Sequence, residues 1–249
     1  MKERVLLSWS SGKDSAWALH EIRSADEVEV VGLLTTVTEP FDRVSMHGVR
    51  RQILQAQAAA AGLPLTEVMI PSPCPNEIYE ARMVSAMDVA REDGIRTVAF
   101  GDLFLEDIRA YREANLAKVS MTAIFPLWQK PTPDLAAAMV GGGLRAIIVC
   151  VDPRQLDASF AGRFYDASFL NDLPDDVDPC GENGEFHTLA FGGPMFDAEL
   201  PVTVGDIVRG PCRWCATGFD DRVNMQIVHY GEQPGPQISP RLEQILTRN

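Results

Sequence analysis

The chain has 249 residues, 46% of them hydrophobic and 8% aromatic, a composition that supports a folded globular protein and argues against a disordered one. It carries 22 lysines and arginines against 35 aspartates and glutamates, which gives a formal net charge of −13. Binding to a polyanion depends on basic side chains that neutralise phosphates, so this charge argues against a broad nucleic-acid-binding surface and leaves room only for a small basic cleft.

No apolar run approaches the roughly 18 residues of a membrane-spanning helix, and the apolar stretch near the N-terminus, residues 5–7, is too short for a signal peptide. An odd number of cysteines in a chain of this length is typical of reduced thiols. We therefore expect a cytoplasmic protein without a membrane segment. The five cysteines are Cys74, Cys150, Cys180, Cys212 and Cys215.

Strands and helices are predicted to alternate along the first half of the chain. The predicted strands are nearly continuously apolar, which is typical of a parallel sheet covered by helices on both faces. The sequence thus predicts an α/β fold with a doubly wound parallel sheet, whose ligands bind at the carboxyl ends of the strands. The predicted strands cover residues 4–9, 28–37, 65–70 and 97–100, and the predicted helices begin at Lys13, cover 47–61 and 76–93, and begin near Glu106.

The sequence changes character at residues 124–128, which Pro131 and Pro133 follow. We place a domain boundary there, between a first domain of residues 1–125 and a smaller C-terminal α+β domain of residues 126–249. In the second domain the sequence predicts a helix over 133–139, a strand over 146–151, short strands within 201–231, a tail rich in proline and glycine at 232–240 and a final short helix.

Residues 10–15, Ser-Ser-Gly-Lys-Asp-Ser, lie between the first predicted strand and the first predicted helix, and we call them the phosphate loop. Backbone N–H groups and the positive end of the helix dipole meet at such a place, Gly12 lets a phosphate approach, and Lys13 adds a positive charge. The loop is not a Walker P-loop, because position 7 is leucine and Asp14 follows the lysine. A serine-capped helix with a surface lysine is the structural alternative.

Residues 178–188 bring carboxylates, a thiol and an imidazole together in a tight turn that contains two glycines. Glu182 and Glu185 could bind Mg²⁺ or take up a proton, and His187 could move a proton near neutral pH. A polar acidic turn without a chemical role explains the same residues equally well.

The phosphate loop resembles the Ser-Gly-Gly-x-Asp-[Ser/Thr] loop of the ATP pyrophosphatases, with Ser11 in place of the first glycine. Residues 180–188 resemble the C-terminal signature of the diphthine–ammonia ligase family, which carries such a loop at its N-terminus. Two further segments, 35–49 and 101–128, are similar to that family as well, so the resemblance spans residues 4–196.

The resemblance implies an adenine-nucleotide α-hydrolase-like, Rossmann-like domain with a smaller C-terminal domain. It implies ATP-dependent amidation of the diphthine carboxylate on elongation factor 2, with ammonium as the nitrogen source and AMP and pyrophosphate as products. By motif position, the ATP phosphates would contact Ser10, Ser11, Gly12, Lys13, Asp14 and Ser15. The strand-end residues near the nucleotide would be Thr36, Gly101 and Asp102, and the residues facing the acceptor or ammonia would be Glu182, Glu185 and His187.

The implied reaction gives these residues specific roles. A carboxylate becomes reactive toward ammonia once it is an acyl-adenylate, and Lys13 with Mg²⁺ would stabilise the departing pyrophosphate. We expect Asp14 to hold Mg²⁺ and Glu185 to take a proton from ammonium. Lys13, Asp14, Glu182, Glu185 and His187 are therefore the expected catalytic residues.

Two other features have a purely structural explanation as well as a functional one. Glu106, Arg109 and Glu113 form one charged helix face, which is either a solvated surface or, through Arg109 and Arg112, a contact to phosphate or to an acidic acceptor. Cys212 and Cys215 have metal-ligand spacing, yet no second such pair accompanies them, so ordinary thiols are the favoured interpretation over zinc or redox chemistry.

Two other functions remain open at this stage. One is a regulatory module that binds ATP without hydrolysing it, and the other is an ATP pyrophosphatase that modifies tRNA. The net charge of −13 and the absence of lysine and arginine from residues 164–208 argue against the second. The apolar helices rich in alanine and methionine, together with the C-terminal strands, also offer a surface for a homodimer.

Overall fold

The computed structural model describes residues 2–211 and 224–228. Five parallel strands of the first sheet lie in the order β4–β2–β1–β5–β6, and β3 pairs antiparallel with the end of β2. The predicted doubly wound α/β sheet is confirmed. The strands are β1 (Glu3–Ser8), β2 (Val28–Thr38), β3 (Arg43–Val44), β4 (Leu65–Ile70), β5 (Thr97–Ala99) and β6 (Thr122–Ile124).

Four helices cover the two faces of this sheet. Neighbouring residues of one strand point to opposite faces, so Leu6 packs with α3 and α4 whereas Leu7 packs with α1 and α2. The predicted face of α3 is confirmed, since Met87 and Ala90 are buried and Tyr79 and Met83 pack against them. These helices are α1 (Lys13–Ala25), α2 (Arg51–Ala60), α3 (Asn76–Glu92) and α4 (Glu106–Lys118).

A second, antiparallel sheet has the strand order β8–β7–β10–β9. Its buried side chains belong to the same apolar cluster as α1 and α2, so the second sheet packs against that side of the first one. The elements are α5 (Thr132–Gly141), β7 (Arg145–Val151), α6 (Ala167–Asp172), β8 (Phe186–Gly192), β9 (Ile207–Pro211) and β10 (Asn224–Val228). The expected boundary between residues 125 and 126 falls just after β6 and stays a prediction.

Some elements differ from the sequence-based expectation. The helix expected over 47–61 begins only at Arg51, because Met46 and Gly48 have φ angles of 69° and 70° and turn the chain before it becomes helical. Strands β6 and β8 and helix α6 were not expected at all. The tail at 232–240, the final helix, Cys212 and Cys215 lie outside the described residues.

No helix within the described ranges has the length and apolar character needed to cross a membrane. Cys74, Cys150 and Cys180 are buried free thiols. Burial raises the pKa of Cys150 and of Cys180 to about 12, so both are thiols and not thiolates near neutral pH.

Candidate functional site

The phosphate loop closes on itself through its serine side chains. Ser10 Oγ accepts a hydrogen bond from the Gly12 N–H at 3.3 Å and lies 3.2 Å from Ser15 Oγ. Ser15 Oγ donates to the Gly12 carbonyl at 3.1 Å. These contacts fix the turn that opens α1 at Lys13, and the first N–H groups of that helix have no acceptor within the helix itself.

Ser11 occupies the backbone conformation that glycine usually supplies. Its φ angle is 70°, its side chain is buried, and Ser11 Oγ has no hydrogen-bond partner among the described residues. A left-handed conformation at a residue with a Cβ costs about 1 kcal/mol. The Ser11 carbonyl accepts from Gln57 Nε2 at 3.0 Å and from the Ala190 N–H at 2.9 Å, and these two bonds hold the strained residue in place.

Strand β8 supports the phosphate loop from the second sheet. Thr188 Oγ1 accepts from the Lys13 N–H at 3.0 Å, and Gln57 Nε2 also donates to the Ala190 carbonyl at 2.6 Å. Trp9 Nε1 donates to Gln57 Oε1 at 3.0 Å, which orients the buried amide. Gln57 is a supporting residue that the sequence pattern did not single out, because a glutamine in an alanine-rich helix carries no motif.

The side chain of Lys13 links the start of α1 to the turn that contains Cys180. Its Nζ donates to both carboxylate oxygens of Asp14, at 2.9 and 2.8 Å, and to the Cys180 carbonyl. The ammonium also lies 5.7 Å from the ring centre of Tyr165 and 5.6 Å from that of Phe186. Burial alone would lower the pKa of Lys13, but the Asp14 carboxylate and the other nearby acidic groups outweigh it, so the pKa is raised and the lysine stays charged.

Residues 178–185, which we call the acidic loop, bring Glu182 into the same cleft. Glu182 Oε1 accepts from the Leu103 N–H at 2.9 Å, and the Glu182 N–H donates to Asp178 Oδ2 at 2.9 Å. Burial raises the pKa of Glu182 to about 7, the nearby carboxylates of Asp14 and Asp102 raise it further, and the Leu103 N–H opposes the rise. A carboxylate with such a pKa can accept and release a proton near neutral pH.

Glu185, three residues further along, does not line the cleft. Its Oε1 accepts from the Asp178 N–H at 3.1 Å and from Asn183 Nδ2 at 3.0 Å. The side chain is buried, and Oε2 has no partner among the described residues. These contacts tie the acidic loop to itself, so the structure separates Glu185 from the residues expected to act with it.

Two histidines face each other in the cleft. The ring centres of His47 and His187 are 4.6 Å apart. Burial and the charge of Lys13 lower the pKa of His187 to about 4, and burial together with His187 and Lys13 lowers the pKa of His47 well below its usual value. Both rings are therefore neutral at physiological pH. His47 was outside the expected site, although it lies in one of the segments that carry the family resemblance.

The end of β5 forms the opposite wall. A Cβ on Gly101 would lie 2.9 Å from the Asp14 carbonyl carbon, so only glycine permits this close approach to the start of α1. Asp102 accepts from Arg112 Nε at 2.6 Å and from Arg112 Nη2 at 3.0 Å. Arg109 instead pairs with Glu113 at 2.8 Å, so of the two arginines only Arg112 reaches the cleft.

The cleft lies at the carboxyl ends of the first sheet's strands, and its volume is about 710 Å³, which includes the solvent at its open side. Eight expected site residues line it: Ser10, Lys13, Asp14, Ser15, Gly101, Asp102, Glu182 and His187. Four others do not: Ser11, Gly12, Thr36 and Glu185. Within the part of the chain that the structure describes, no three His, Cys, Asp or Glu side chains converge as a metal site.

Comparison with known proteins explains this pairing of loops. A model for the diphthamide synthase N-terminal domain matches residues 1–120, and a model for the diphthamide synthase C-terminal domain matches residues 132–219. The chain belongs to the diphthamide synthase family. The phosphate loop lies in the first matched region of that family and the acidic loop in the second, so the cleft of this family member is built from both.

A curated member of the family is similar over most of the chain. A diphthine–ammonia ligase from Schizosaccharomyces pombe is 24% identical over an alignment of 225 residues, and the match covers 83% of this chain and 37% of that protein. The chain therefore spans little more than a third of the length of the curated relative that it matches.

Proposed function

We propose that the protein is an ATP-dependent, AMP-forming ligase that joins ammonia to a carboxylate. The observation that carries this proposal is the single cleft in which the phosphate loop faces Glu182, a carboxylate suited to proton transfer near pH 7. Membership of the diphthamide synthase family and the name of the relative, diphthine–ammonia ligase, support the same reaction class.

In the first step, an acceptor carboxylate oxygen attacks the α-phosphorus of ATP, which is a substrate of this reaction. The bond between the α-phosphorus and the bridging oxygen breaks, and pyrophosphate leaves. The start of α1 and the charged Lys13 line the cleft where negative charge builds up on the leaving group, and both the helix dipole and the ammonium stabilise that charge. Lys13 also holds Asp14 and the Cys180 carbonyl, so it keeps both loops in position for this step.

The donor set of the cleft fits a magnesium ion bound mainly by phosphate. Mg²⁺ usually takes one or two carboxylates and completes its shell with phosphate oxygens and water, and Asp14 and Asp102 both line the cleft. Asp14 and Asp102 would hold the ion. When bound, it supplies positive charge that neutralises the leaving pyrophosphate.

In the second step, the nitrogen of ammonia attacks the carbonyl carbon of the acyl-adenylate. The bond from that carbon to the AMP oxygen breaks, and the amide and AMP are released. Ammonium must first lose a proton, and we assign its uptake to Glu182 because Glu182 lines the cleft whereas Glu185 does not. The neutral rings of His47 and His187 add no positive charge that would repel ammonium.

The acceptor belongs to the class of carboxylates, and diphthine of elongation factor 2 is the acceptor that the resemblance implies for an archaeal or eukaryotic source. A cytoplasmic location, a first domain of residues 1–125 and a homodimer belong to the same proposal. The acidic surface supports a small-molecule or protein acceptor over RNA, since the formal net charge is −13.

Hydroxylamine, used in place of ammonium as the nucleophile, separates formation of the acyl-adenylate from the proton transfer that ammonium needs. It attacks an acyl-adenylate as an uncharged nucleophile near neutral pH, whereas ammonium needs a base. We expect the protein with Mg·ATP and a desalted lysate from its own source to release pyrophosphate and AMP, and to form a hydroxamate when hydroxylamine replaces ammonium. Glu182→Gln should lower the ammonium-dependent rate about 10²- to 10⁴-fold and leave hydroxamate formation nearly unchanged.

The exposed residue Glu106 provides the matched control, since it lies on α4 outside the cleft, and Glu106→Gln should leave both rates unchanged. The wild-type ratio of the ammonium rate to the hydroxylamine rate should rise with pH through about 7, because the base acts only when it is deprotonated. Release of ADP instead of AMP, or equal loss of both rates in Glu182→Gln, would contradict the proposal.

A further inference from the structure

A second space lies outside the cleft, between α3 and α4 on one face of the first sheet. Its volume is about 590 Å³, which includes the solvent at its open side. Its floor consists of Leu34 and Val98 of the sheet, and its walls include Met83 and Met87 of α3 and Leu116 of α4. None of these apolar side chains takes part in the chemistry proposed above.

Polar contacts across the two helices set the width of this space. Tyr111 Oη donates to Asn76 Oδ1 at 3.4 Å, and Lys118 Nζ pairs with Glu80 Oε2 at 3.3 Å. These contacts link the two helices above the sheet residues Leu34 and Val98, which are buried. This hydrogen bond and this ion pair therefore join α3 to α4 beside the space.

The two spaces meet at Phe100 and Arg112, which line both. The Arg112 guanidinium lies 4.5 Å from the Phe100 ring centre and uses Nε and Nη2 to hold Asp102. No described residue accepts a hydrogen bond from the remaining nitrogen, Nη1. Nη1 can therefore donate a charge-assisted hydrogen bond to a ligand carboxylate at the junction of the two spaces, while Nε and Nη2 stay bound to Asp102.

We propose that the space between α3 and α4 binds a carboxylic acid with an apolar body, whose carboxylate pairs with Arg112 at the edge of the cleft. The role of this acid as the acceptor rests on the proposed ligase function, whereas its binding does not. The apolar body gains affinity by leaving water, and the carboxylate lies beside the wall that carries Asp102 and faces the phosphate loop.

The affinity should depend on chain length in a defined way. Burial of one methylene group is worth enough to tighten binding about fourfold, so a homologous series should show steadily lower Kd values until the space is filled. A charge-assisted hydrogen bond to Arg112 should make each acid bind about tenfold more tightly than the alcohol of the same length.

Isothermal titration calorimetry with the full chain and a non-hydrolysable ATP analogue tests this inference. The probes are straight-chain carboxylates from butanoate to octanoate and the corresponding primary alcohols. Met83→Trp should fill the space and abolish the dependence on chain length, whereas Arg112→Gln should keep that dependence and remove the preference for acids. Val89→Gln is the matched control, because Val89 is exposed on the same helix outside this space.

Equal binding of acids and alcohols, absence of chain-length dependence, or unchanged binding in Met83→Trp would overturn the inference. The same acids are then offered in the hydroxamate assay. Length-dependent binding without pyrophosphate release would uphold the site and sink the ligase function. Hydroxamate formation that Met83→Trp leaves unchanged would uphold the ligase function and remove this site from it.

Discussion

The phosphate loop and the acidic loop face the same cleft but are shaped by different forces. Backbone geometry, supported by hydrogen bonds of Ser10 and Ser15, shapes the first, since Ser11 has a positive φ angle and Gly101 approaches the start of α1 closely. Side-chain contacts shape the second, since Asp178 and Glu185 bind the N–H and amide groups of their own loop. A loop shaped by its backbone is readable from a motif, whereas a loop shaped by side chains hides which of its carboxylates is chemically available.

The contrast is sharpest within the acidic loop itself. Glu182 and Glu185 are three residues apart, yet one lines the cleft with a pKa of about 7 and the other is buried against its own loop. Motif position assigned both the same role. Their difference follows from contacts with Leu103 on one side and with Asn183 on the other.

Removing the link between the two loops should have the largest effect. Lys13→Met leaves Asp14 without its partner in a mostly buried place and frees the Cys180 carbonyl, so we expect a loss of about 3–5 kcal/mol in the free energy of unfolding. Urea denaturation followed by circular dichroism measures it. Lys2→Met, at an exposed ion pair with Asp26, is the control and should change stability by less than about 1 kcal/mol.

An intermediate effect is expected from Glu185→Ala. The substitution removes the buried Glu185 carboxylate and leaves the half-buried Asp178 N–H and the exposed Asn183 amide without their acceptor, which should cost about 1–3 kcal/mol of unfolding free energy. Thermal and urea unfolding would show the loss. A stability equal to that of the wild type would mean that the acidic loop is not held by Glu185.

Glu182→Gln is the matched comparison and should change how the free energy of unfolding depends on pH. The pKa of Glu182 is raised in the folded state, so the folded protein binds the proton more tightly than the unfolded chain does. Its contribution to stability is therefore lost as pH rises from the unfolded value toward about 7. Glu182→Gln should remove this part of the slope between pH 5 and pH 8, which Glu185→Ala should leave in place.

The smallest effect concerns the backbone of the phosphate loop. Ser11→Gly relieves the cost of a positive φ angle at a residue with a Cβ and removes a buried hydroxyl that has no partner among the described residues. We expect the unfolding free energy to rise by about 1 kcal/mol, offset in part by the greater freedom of glycine in the unfolded chain. A clear loss of stability in differential scanning calorimetry would show that Ser11 Oγ has a structural role.

The sequence predicted those elements that local patterns determine. The buried strands β1, β2, β4, β5 and β7 contain apolar runs, and the alternation of the first four with helices predicted the doubly wound parallel sheet. The sequence does not predict strand β8, because its first residues belong to the acidic motif and read as part of that turn. Helix α2 begins late because positive φ angles at Met46 and Gly48 precede it, and the one at Met46 has no turn signal in the sequence.

The sequence could predict those site residues that lie in recognisable motifs. Ser10, Lys13, Gly101 and Asp102 all line the cleft, and their contact with ATP stays a prediction. His47 and Gln57 depend on contacts between distant parts of the chain, with His187 and with Ala190, which no local pattern encodes.

The hydrogen bonds between the phosphate loop and β8 have a consequence for biosynthesis. Residues 11–13 take their final geometry from acceptors and donors at Thr188 and Ala190, which the ribosome adds about 175 residues later. Domains generally fold as units during synthesis, and contacts of this sequence separation form late. The nascent first half of the chain can therefore build its sheet before the second half emerges, but the phosphate loop would reach its final geometry only after β8 has left the ribosome.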